Sequence, residues 1–343
     1  MIVELTALAD LEPALAADGF FGRDDVVARV YIGYGASDLL RRTDTPAPPE
    51  PCVLPPVAYS IEPGQSTAPL PGSYTVGPWR PSWSESEYAE AVDVVRAAIA
   101  EGDVYQVNLV QHLSADFEGD PAGLAPALAR LLPLEPRPLV GDGWAIVSAS
   151  PELLLSRRGS HVRTSPIKGT RPAGVPVESE KDTAEHVMIV DLERNDLARV
   201  ARSGSVRWPE LLVERELAGV RHLVATVEAE LRESVTLTDL LDAVLPGGSV
   251  TGCPKIAALD LIAQLEPVGR GAAMGALGRI HPNGDLDLAL TIRTFAVAEG
   301  AIHLWAGGGI VWDSDPVEEV EESWVKARPL LAAIGAPLTA PVS

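Results

Sequence analysis

Two cysteines in 343 residues, Cys52 and Cys253, are too few and too far apart to staple a fold or to form a paired-cysteine metal site. A chain of this length needs no such device, because one large domain or two modest ones can bury a full core. A reducing cytosol fits this cysteine usage. Basic residues are also scarce: 27 Lys+Arg stand against 48 Asp+Glu, a formal net charge of −21. That balance repels phosphate backbones and anionic lipid surfaces, so neither nucleic acid nor a membrane is an expected partner. No apolar run approaches bilayer-spanning length, and the opening segment MIVELTALADLEPALAADGF carries acids where a secretory or transit segment carries bases. A cytoplasmic protein is expected.

What is present is a change of texture along the chain. Short apolar runs alternate with charge over the first forty or so residues, and Pro46 to Gly72 is crowded with proline, which reads as a connection or an edge and not as a helix. From Ser84 the pattern becomes regular. Ser84 and Glu87 make a capping-box pair, Tyr88, Val92, Val95 and Ile99 recur at helical spacing, and Gly102 closes the run. VYQVNLVQHL, WAIVSA, LLLSRR, LALTIRTFAV and AIHLWA read as strands, while Asp182 to Val200 and Leu237 to Val244 read as helices. Strands that neighbour one another, with turn signals between them, predict an α+β fold with largely antiparallel sheets. The expected organisation is a short N-terminal segment over 1–78 packing on the core, a catalytic domain over 79–335 and a tail over 336–343.

Five segments carry chemistry. Asp315 is an expected N-cap with Pro316 in the first turn and Glu318 completing a capping box; Glu319, Glu322 and Lys326 then share one helix face. Such a face is ordinarily solvated. A second acidic pair, Asp182 and Glu185, precedes the apolar run Val187 to Val190, and acids beside a buried stretch need a partner. A hard cation such as Mg²⁺, held by one or two carboxylates and substrate oxygens, would serve. Two glycine-rich segments, PGGSVTG from Pro246 and Gly307-Gly308-Gly309, read as loops whose amides can approach an anion. In the first, the lysine arrives as Gly252-Cys253-Pro254-Lys255, so a phosphate loop is rejected. With Arg293 they outline a carboxylate clamp. Lys168 lies in PIKGTRPAG, between Ser165 and Thr170, where prolines and glycines suggest a rigid loop. If that loop buries the amine, desolvation would lower its pKa toward neutrality and make it a nucleophile.

Taken together, the blocks VYQVNLVQ, SPELLL, PIKGTRPAG, EHVMIVDLERNDLARV, RHLVATV, PGGSVTGCPK, TIRTF and GGGIVWDSDPVEEVEESWVKA resemble the chorismate-utilising enzymes, and within them the aminodeoxychorismate synthase component I proteins. The resemblance runs from about Ser84 to the last helix. It implies two antiparallel sheets packed between helices, with chorismate and Mg²⁺ between them. It further implies that Glu185 and Glu322, with Glu319 beside them, hold the metal. Arg293, Lys326, Thr251 and the amides of Gly307, Gly308 and Gly309 would bind substrate, and His222 would lie near its C4 hydroxyl.

Two positions separate the reactions of this group. Relatives that add water to chorismate place a lysine base where this chain has Gln106, which cannot deprotonate water. Anthranilate synthases usually carry alanine where this chain has Lys168. The resemblance therefore implies amination at C4, with Lys168 attacking C2 while Glu152 protonates the departing hydroxyl. Ammonia would come from a separate glutamine amidotransferase subunit. The rivals are an anthranilate synthase component I and a noncatalytic relative retaining the fold. Ala273 and Arg279 stand where many relatives have tyrosines, which is expected to remove aromatic contacts on the pyruvyl side, and Ser323 replaces the usual threonine.

Overall fold

The computed structural model describes residues 1–64, 71–172, 180–217, 220–336 and 338; within these, the side chains of residues 170–172, 180–182, 184, 217 and 220 lie outside the description. Thr170 and Asp182 are among the latter. The chain adopts the expected α+β architecture of two antiparallel sheets flanked by helices.

In the ten-stranded sheet the order runs Ile2–Leu5, Val57–Pro63, Val26–Ile32, Ala276–Ile280, Leu286–Leu290, Leu153–Arg158, His161–Ser165, Val220–Glu230 and Ile167–Pro172, with Arg207–Leu217 also paired to Val220–Glu230. The proline-crowded stretch therefore contains a strand that is neither a connection nor an edge, since Val57–Pro63 lies between two others. Its prolines flank the paired backbone: Pro55 and Pro56 precede it and Pro63 ends it, so few ladder bonds are lost. All seven residues of Val26–Ile32 are buried. That strand pairs directly with Ala276–Ile280, joining the N-terminal strands to the rest of the sheet.

The eight-stranded sheet is ordered Gly252–Cys253, Gln106–Gly119, Ala301–Ile310, Thr294–Ala298, Trp144–Ser148 and Leu139–Val140, with Tyr74–Val76 and Arg80–Pro81 also on Gln106–Gly119. LALTIRTFAV is not one strand. Leu286–Leu290 belongs to the first sheet and Thr294–Ala298 to the second, and the chain crosses between them where Arg293 takes a left-handed φ of 50°. A non-glycine residue held there costs energy and ends strand geometry. The triple glycine is not a loop either: Gly307, Gly308 and Gly309 pair with Val110, Leu109 and Asn108 inside Ala301–Ile310. Lys168 likewise sits on a strand, opposite Leu223, with the register slipping just after it.

Helix ends follow their local chemistry. Ser84 and Glu87 form both bonds of a capping box on Glu85–Glu101, and Gly102 terminates it at φ 86°. Asp315 caps Pro316–Ala333 by accepting from the amides of Val317 and Glu318. The expected return bond from the Glu318 side chain is not formed, so that capping box is half made. Glu85–Glu101 and Pro316–Ala333 bury Tyr88, Val92, Trp324 and Leu331 in one core with the second sheet. Helix Leu237–Val244 packs in a separate core with the first sheet. No described helix is long and apolar enough to cross a membrane.

Candidate active site

The segments singled out by sequence converge where the two sheets meet. Lys168 and His222 come from the first sheet, Gln106 and the glycines from the second, Glu185 from helix Glu180–Ala198, and Glu319, Glu322 and Lys326 from helix Pro316–Ala333. Glu152 precedes Leu153–Arg158, and Arg293 stands at the crossover. Asp182 belongs to the same helix as Glu185, but its side chain lies outside the described residues.

Lys168 Nζ donates to Glu185 Oε1 at 2.7 Å and to the Ser249 carbonyl at 3.2 Å. Gln106 Nε2 donates to the same Glu185 oxygen at 2.7 Å. The expectation that burial would bring Lys168 toward neutrality is corrected here. Burial does disfavour its charge, yet Glu185, with Glu152 and Glu322 behind it, outweighs that and raises its pKa. Burial pushes Glu185 up, but the Lys168 charge and hydrogen bond prevail and hold it below the usual carboxylate range. Both shifts express one buried ion pair.

Glu152 is 4% exposed. Burial raises its pKa against the opposing effects of the Ser249 hydroxyl, Lys168 and Arg293, which favours a protonated carboxyl able to act as an acid. Ser249 Oγ donates to Glu152 Oε1 at 2.6 Å. His222 Nδ1 lies 2.9 Å from the Gly169 carbonyl, which can only accept, so Nδ1 carries the proton and Nε2 is left as an acceptor. Among the described residues, Nε2 has no partner. Burial lowers the His222 pKa, and Arg293 lowers it further against the Gly169 bond, both disfavouring the charged imidazole. Arg293 is partly buried; burial lowers its pKa while Glu152 opposes the shift.

Lys326 Nζ donates to the Gly307 carbonyl at 2.8 Å and pairs with Glu322 Oε1 at 2.7 Å. N–H and C=O of a strand residue point the same way, alternating along the strand. The Gly307 carbonyl turns to Lys326, so the amides of Gly307 and Gly309 face away from Gln106–Gly119. Thr294–Ala298 meets Ala301–Ile310 only at residues 301–304, which leaves that side of the glycines without a strand partner among the described residues. These two amides are thus available to an anion despite lying in a strand.

A Cβ on Gly308 would meet Glu322 Oε1 at 3.1 Å and Glu319 Oε2 at 3.2 Å; one on Gly309 would collide with Gln106 Nε2 and reach Glu185 Oε1 at 2.5 Å. The missing side chains admit three carboxylates to adjacent residues, a donor set whose chemistry suits a hard divalent cation. Lys168 and Lys326 now engage two of them, and Ser314 Oγ donates to Glu319 Oε1 at 2.6 Å. In this arrangement no three His, Cys, Asp or Glu residues among those described are grouped to hold one ion.

Other expected residues lie elsewhere. Thr251 is fully buried, and its hydroxyl donates to the Gly247 carbonyl at 3.0 Å, closing its own loop. The Arg279 side chain pairs with Glu135 at 2.7 Å in a charge cluster with Arg29, and Ala273 is buried in the core. Ser323 returns its hydroxyl to the Val320 carbonyl. Lys255 pairs with Asp196 at 2.5 Å and donates to the Pro246 carbonyl at 2.7 Å, anchoring the loop and not an anion. Sequence reading missed Ser249, although it stands inside the quoted PGGSVTG. Its only signal was that loop.

A lysine, a carboxyl whose pKa burial raises and two glycine amides lie together between the antiparallel sheets. The chain belongs to the chorismate binding enzyme family, whose profile matches residues 50–332. It is 45% identical over 267 residues to anthranilate synthase component 1 of Thermus thermophilus, covering 74% of this chain and 57% of that protein. To aminodeoxychorismate synthase component 1 of Klebsiella aerogenes it is 40% identical over 288 residues, covering 77% and 62%. The chain thus spans about 60% of the length of these relatives. Anthranilate synthase component I from Streptococcus pneumoniae shares the fold at a TM-score of 0.77 and 27% identity, over 90% of this chain and 80% of that one. A menaquinone-specific isochorismate synthase from Escherichia coli does so at 0.74 and 19% identity, over 97% and 84%.

Proposed function

We propose that this chain aminates chorismate at C4 with ammonia to give 4-amino-4-deoxychorismate, as an aminodeoxychorismate synthase component I feeding p-aminobenzoate and folate synthesis. The observation that carries this reading is Lys168, joined through Ser249 to the protonation-prone Glu152 and flanked by Gln106 in place of a base. The neutral Lys168 amine attacks C2, both ring double bonds shift along the conjugated path from C2 to C4, and the C4 hydroxyl leaves as water with the proton of Glu152. Ammonia then bonds to C4, both double bonds return, and the Lys168 amine departs from C2; the surplus ammonium proton restores Glu152. Arg293, Lys326 and the Gly307 and Gly309 amides bind carboxylate oxygens, while His222 Nε2 accepts from the C4 hydroxyl. Lys168 reaches its nucleophilic form only when the charge of Glu185 is withdrawn from it. Mg²⁺ held by Glu185 and Glu322, with Glu319 beside them, would supply a positive field for the ring carboxylate. A glutamine amidotransferase subunit would deliver the ammonia; the component 1 names of the relatives support a partner.

A second reading, anthranilate synthase component I, is favoured by the 45% identity to the Thermus protein of that name. Incubation with chorismate, Mg²⁺ and an ammonium salt, followed by mass and absorbance analysis, decides between them. Aminodeoxychorismate with pyruvate retained is expected, and Lys168→Ala should abolish it. Anthranilate with free pyruvate would establish the second reading; isochorismate would overturn both.

A further inference from the structure

We propose that Ser249 is a positioning residue that sets the acid and the lysine of this site against one another, its hydroxyl holding the Glu152 carboxyl and its carbonyl holding the Lys168 amine. The inference rests on the amination reading above. Ser249 is 5% exposed and occupies the middle of the three-residue turn Gly248–Val250. Both of its polar ends are used: Oγ donates to Glu152 Oε1 at 2.6 Å, and the carbonyl accepts from Lys168 Nζ at 3.2 Å. One residue therefore spans the two groups that must act on the substrate together.

The turn is held on both sides of Ser249. Lys255 binds the Pro246 carbonyl, Thr251 Oγ1 binds the Gly247 carbonyl, and Arg270, itself 1% exposed, donates to the Val250 carbonyl at 2.7 Å. The Thr251 carbonyl accepts from the Asn108 amide at 2.7 Å. From below, a Cβ on Gly248 would press on Leu192 at 2.9 Å and stand 3.2 Å from Glu193 Oε1, so the turn sits directly on helix Glu180–Ala198. The clamped backbone fixes where the Ser249 side chain starts, and its bond to Glu152 fixes where the hydroxyl ends. With Oε1 of Glu152 engaged by that hydroxyl, the bond fixes the orientation of the carboxyl and favours Oε2 as the oxygen that delivers its proton. Ser249 exchanges no atom with the substrate; it acts through Glu152 and Lys168, supplying orientation that general acid catalysis requires.

The test is a double-mutant cycle under the chorismate, Mg²⁺ and ammonium conditions above. Ser249→Ala should lower kcat about 10- to 100-fold with the KM for chorismate within about threefold, since the lost bond acts on proton delivery and not on substrate affinity. Ser249→Thr, which keeps the hydroxyl, should recover to within about fivefold of wild type. Ser249→Ala in a Glu152→Gln background should slow the enzyme no further than about twofold, because a group acting through Glu152 has nothing left to position. Additive losses in that background, or a raised KM with unchanged kcat, would overturn the proposal. Should Ser249→Ala fail to fold, the isosteric pair Ser249→Thr and Ser249→Val carries the same comparison. Wild-type protein that does not aminate chorismate would sink the functional reading and this inference with it; amination with Ser249 and Glu152 uncoupled sinks this inference alone.

Discussion

Arg270 and Glu266 form a two-bond ion pair sealed from water, with Nε 2.8 Å from Oε2 and the NH2 nitrogen 2.6 Å from Oε1. The guanidinium also holds the carbonyls of Val250 and Asn108, each at 2.7 Å, and lies 4.8 Å from the centre of the Tyr34 ring. Removing one member leaves a buried charge unpaired, so Arg270→Ala should destabilise the protein by about 3–5 kcal/mol. Urea denaturation checks the magnitude. A loss below about 1 kcal/mol would mean that Glu266 finds water or another partner.

The glycines of Ala301–Ile310 should divide stability from activity. A Cβ on Gly307 would run into the Leu109 carbonyl and Val110 Cα, backbone that cannot swing aside, whereas one on Gly309 meets the ends of the Gln106 and Glu185 side chains. Gly307→Ala is expected to cost about 1–3 kcal/mol or more by overpacking the ladder. Gly309→Ala should cost less, yet reduce turnover more than about tenfold by displacing the Glu185 contact of Lys168. Melting curves and chorismate turnover on the two variants would expose a reversed order.

Glu193 is pushed up to about 8 by burial, with Asp196 adding to the shift against Lys255. The native state then holds a proton that the unfolded chain releases near 4.5. Its contribution to stability is full below the unfolded value and is lost as pH rises through about 8. Glu193→Gln, which cannot ionise, should therefore gain on wild type with rising pH, by up to about 1.4 kcal/mol per unit across that window. Denaturant midpoints at pH 6 and pH 8 measure the gain; a constant difference between the two proteins would contradict it.

The buried imidazoles of His112 and His303, 3.0 Å apart, work in the opposite direction. Burial, then His303, lowers His112 to about 3; burial lowers His303 to about 4 despite Glu299. The unfolded chain takes up protons near 6.5 that the native state refuses, so the stability these residues lend is present above 6.5 and is lost as pH falls toward their native values. Each contributes a slope of at most about 1.4 kcal/mol per unit. Replacing both by glutamine should flatten the decline between pH 7 and pH 5. An unchanged slope would show that both imidazoles protonate without unfolding.

Local signals in the sequence were legible where short-range forces decide the outcome. Ser84, Glu87 and Gly102 delimit Glu85–Glu101 because a helix is capped by its own neighbours. Leu153–Arg158 and Leu237–Val244 likewise match LLLSRR and the helical run at both ends. What failed depended on distant partners. The triple glycine reads as a loop because its reason to lack side chains, the approach of Glu185, Glu319 and Glu322, comes from two remote helices. The break at Arg293 was hidden for a related reason: apolar residues on both sides serve different sheets, and only their separate pairing reveals it. In the site, the residue types were readable, but the sharing of Glu185 by Lys168 and Gln106 required the fold.

The pairing of Val26–Ile32 with Ala276–Ile280 has a consequence for shortened forms of the protein. A chain begun at residue 79 would leave Ala276–Ile280 with a full row of unsatisfied amides and carbonyls, in a strand that buries Ala276, Leu277 and Ile280. Such a row is a template for self-association. The N-terminal strands thus act as a built-in guard against polymerisation, and a fragment lacking them should pass from solution into β-rich aggregates even if every residue of the site is kept.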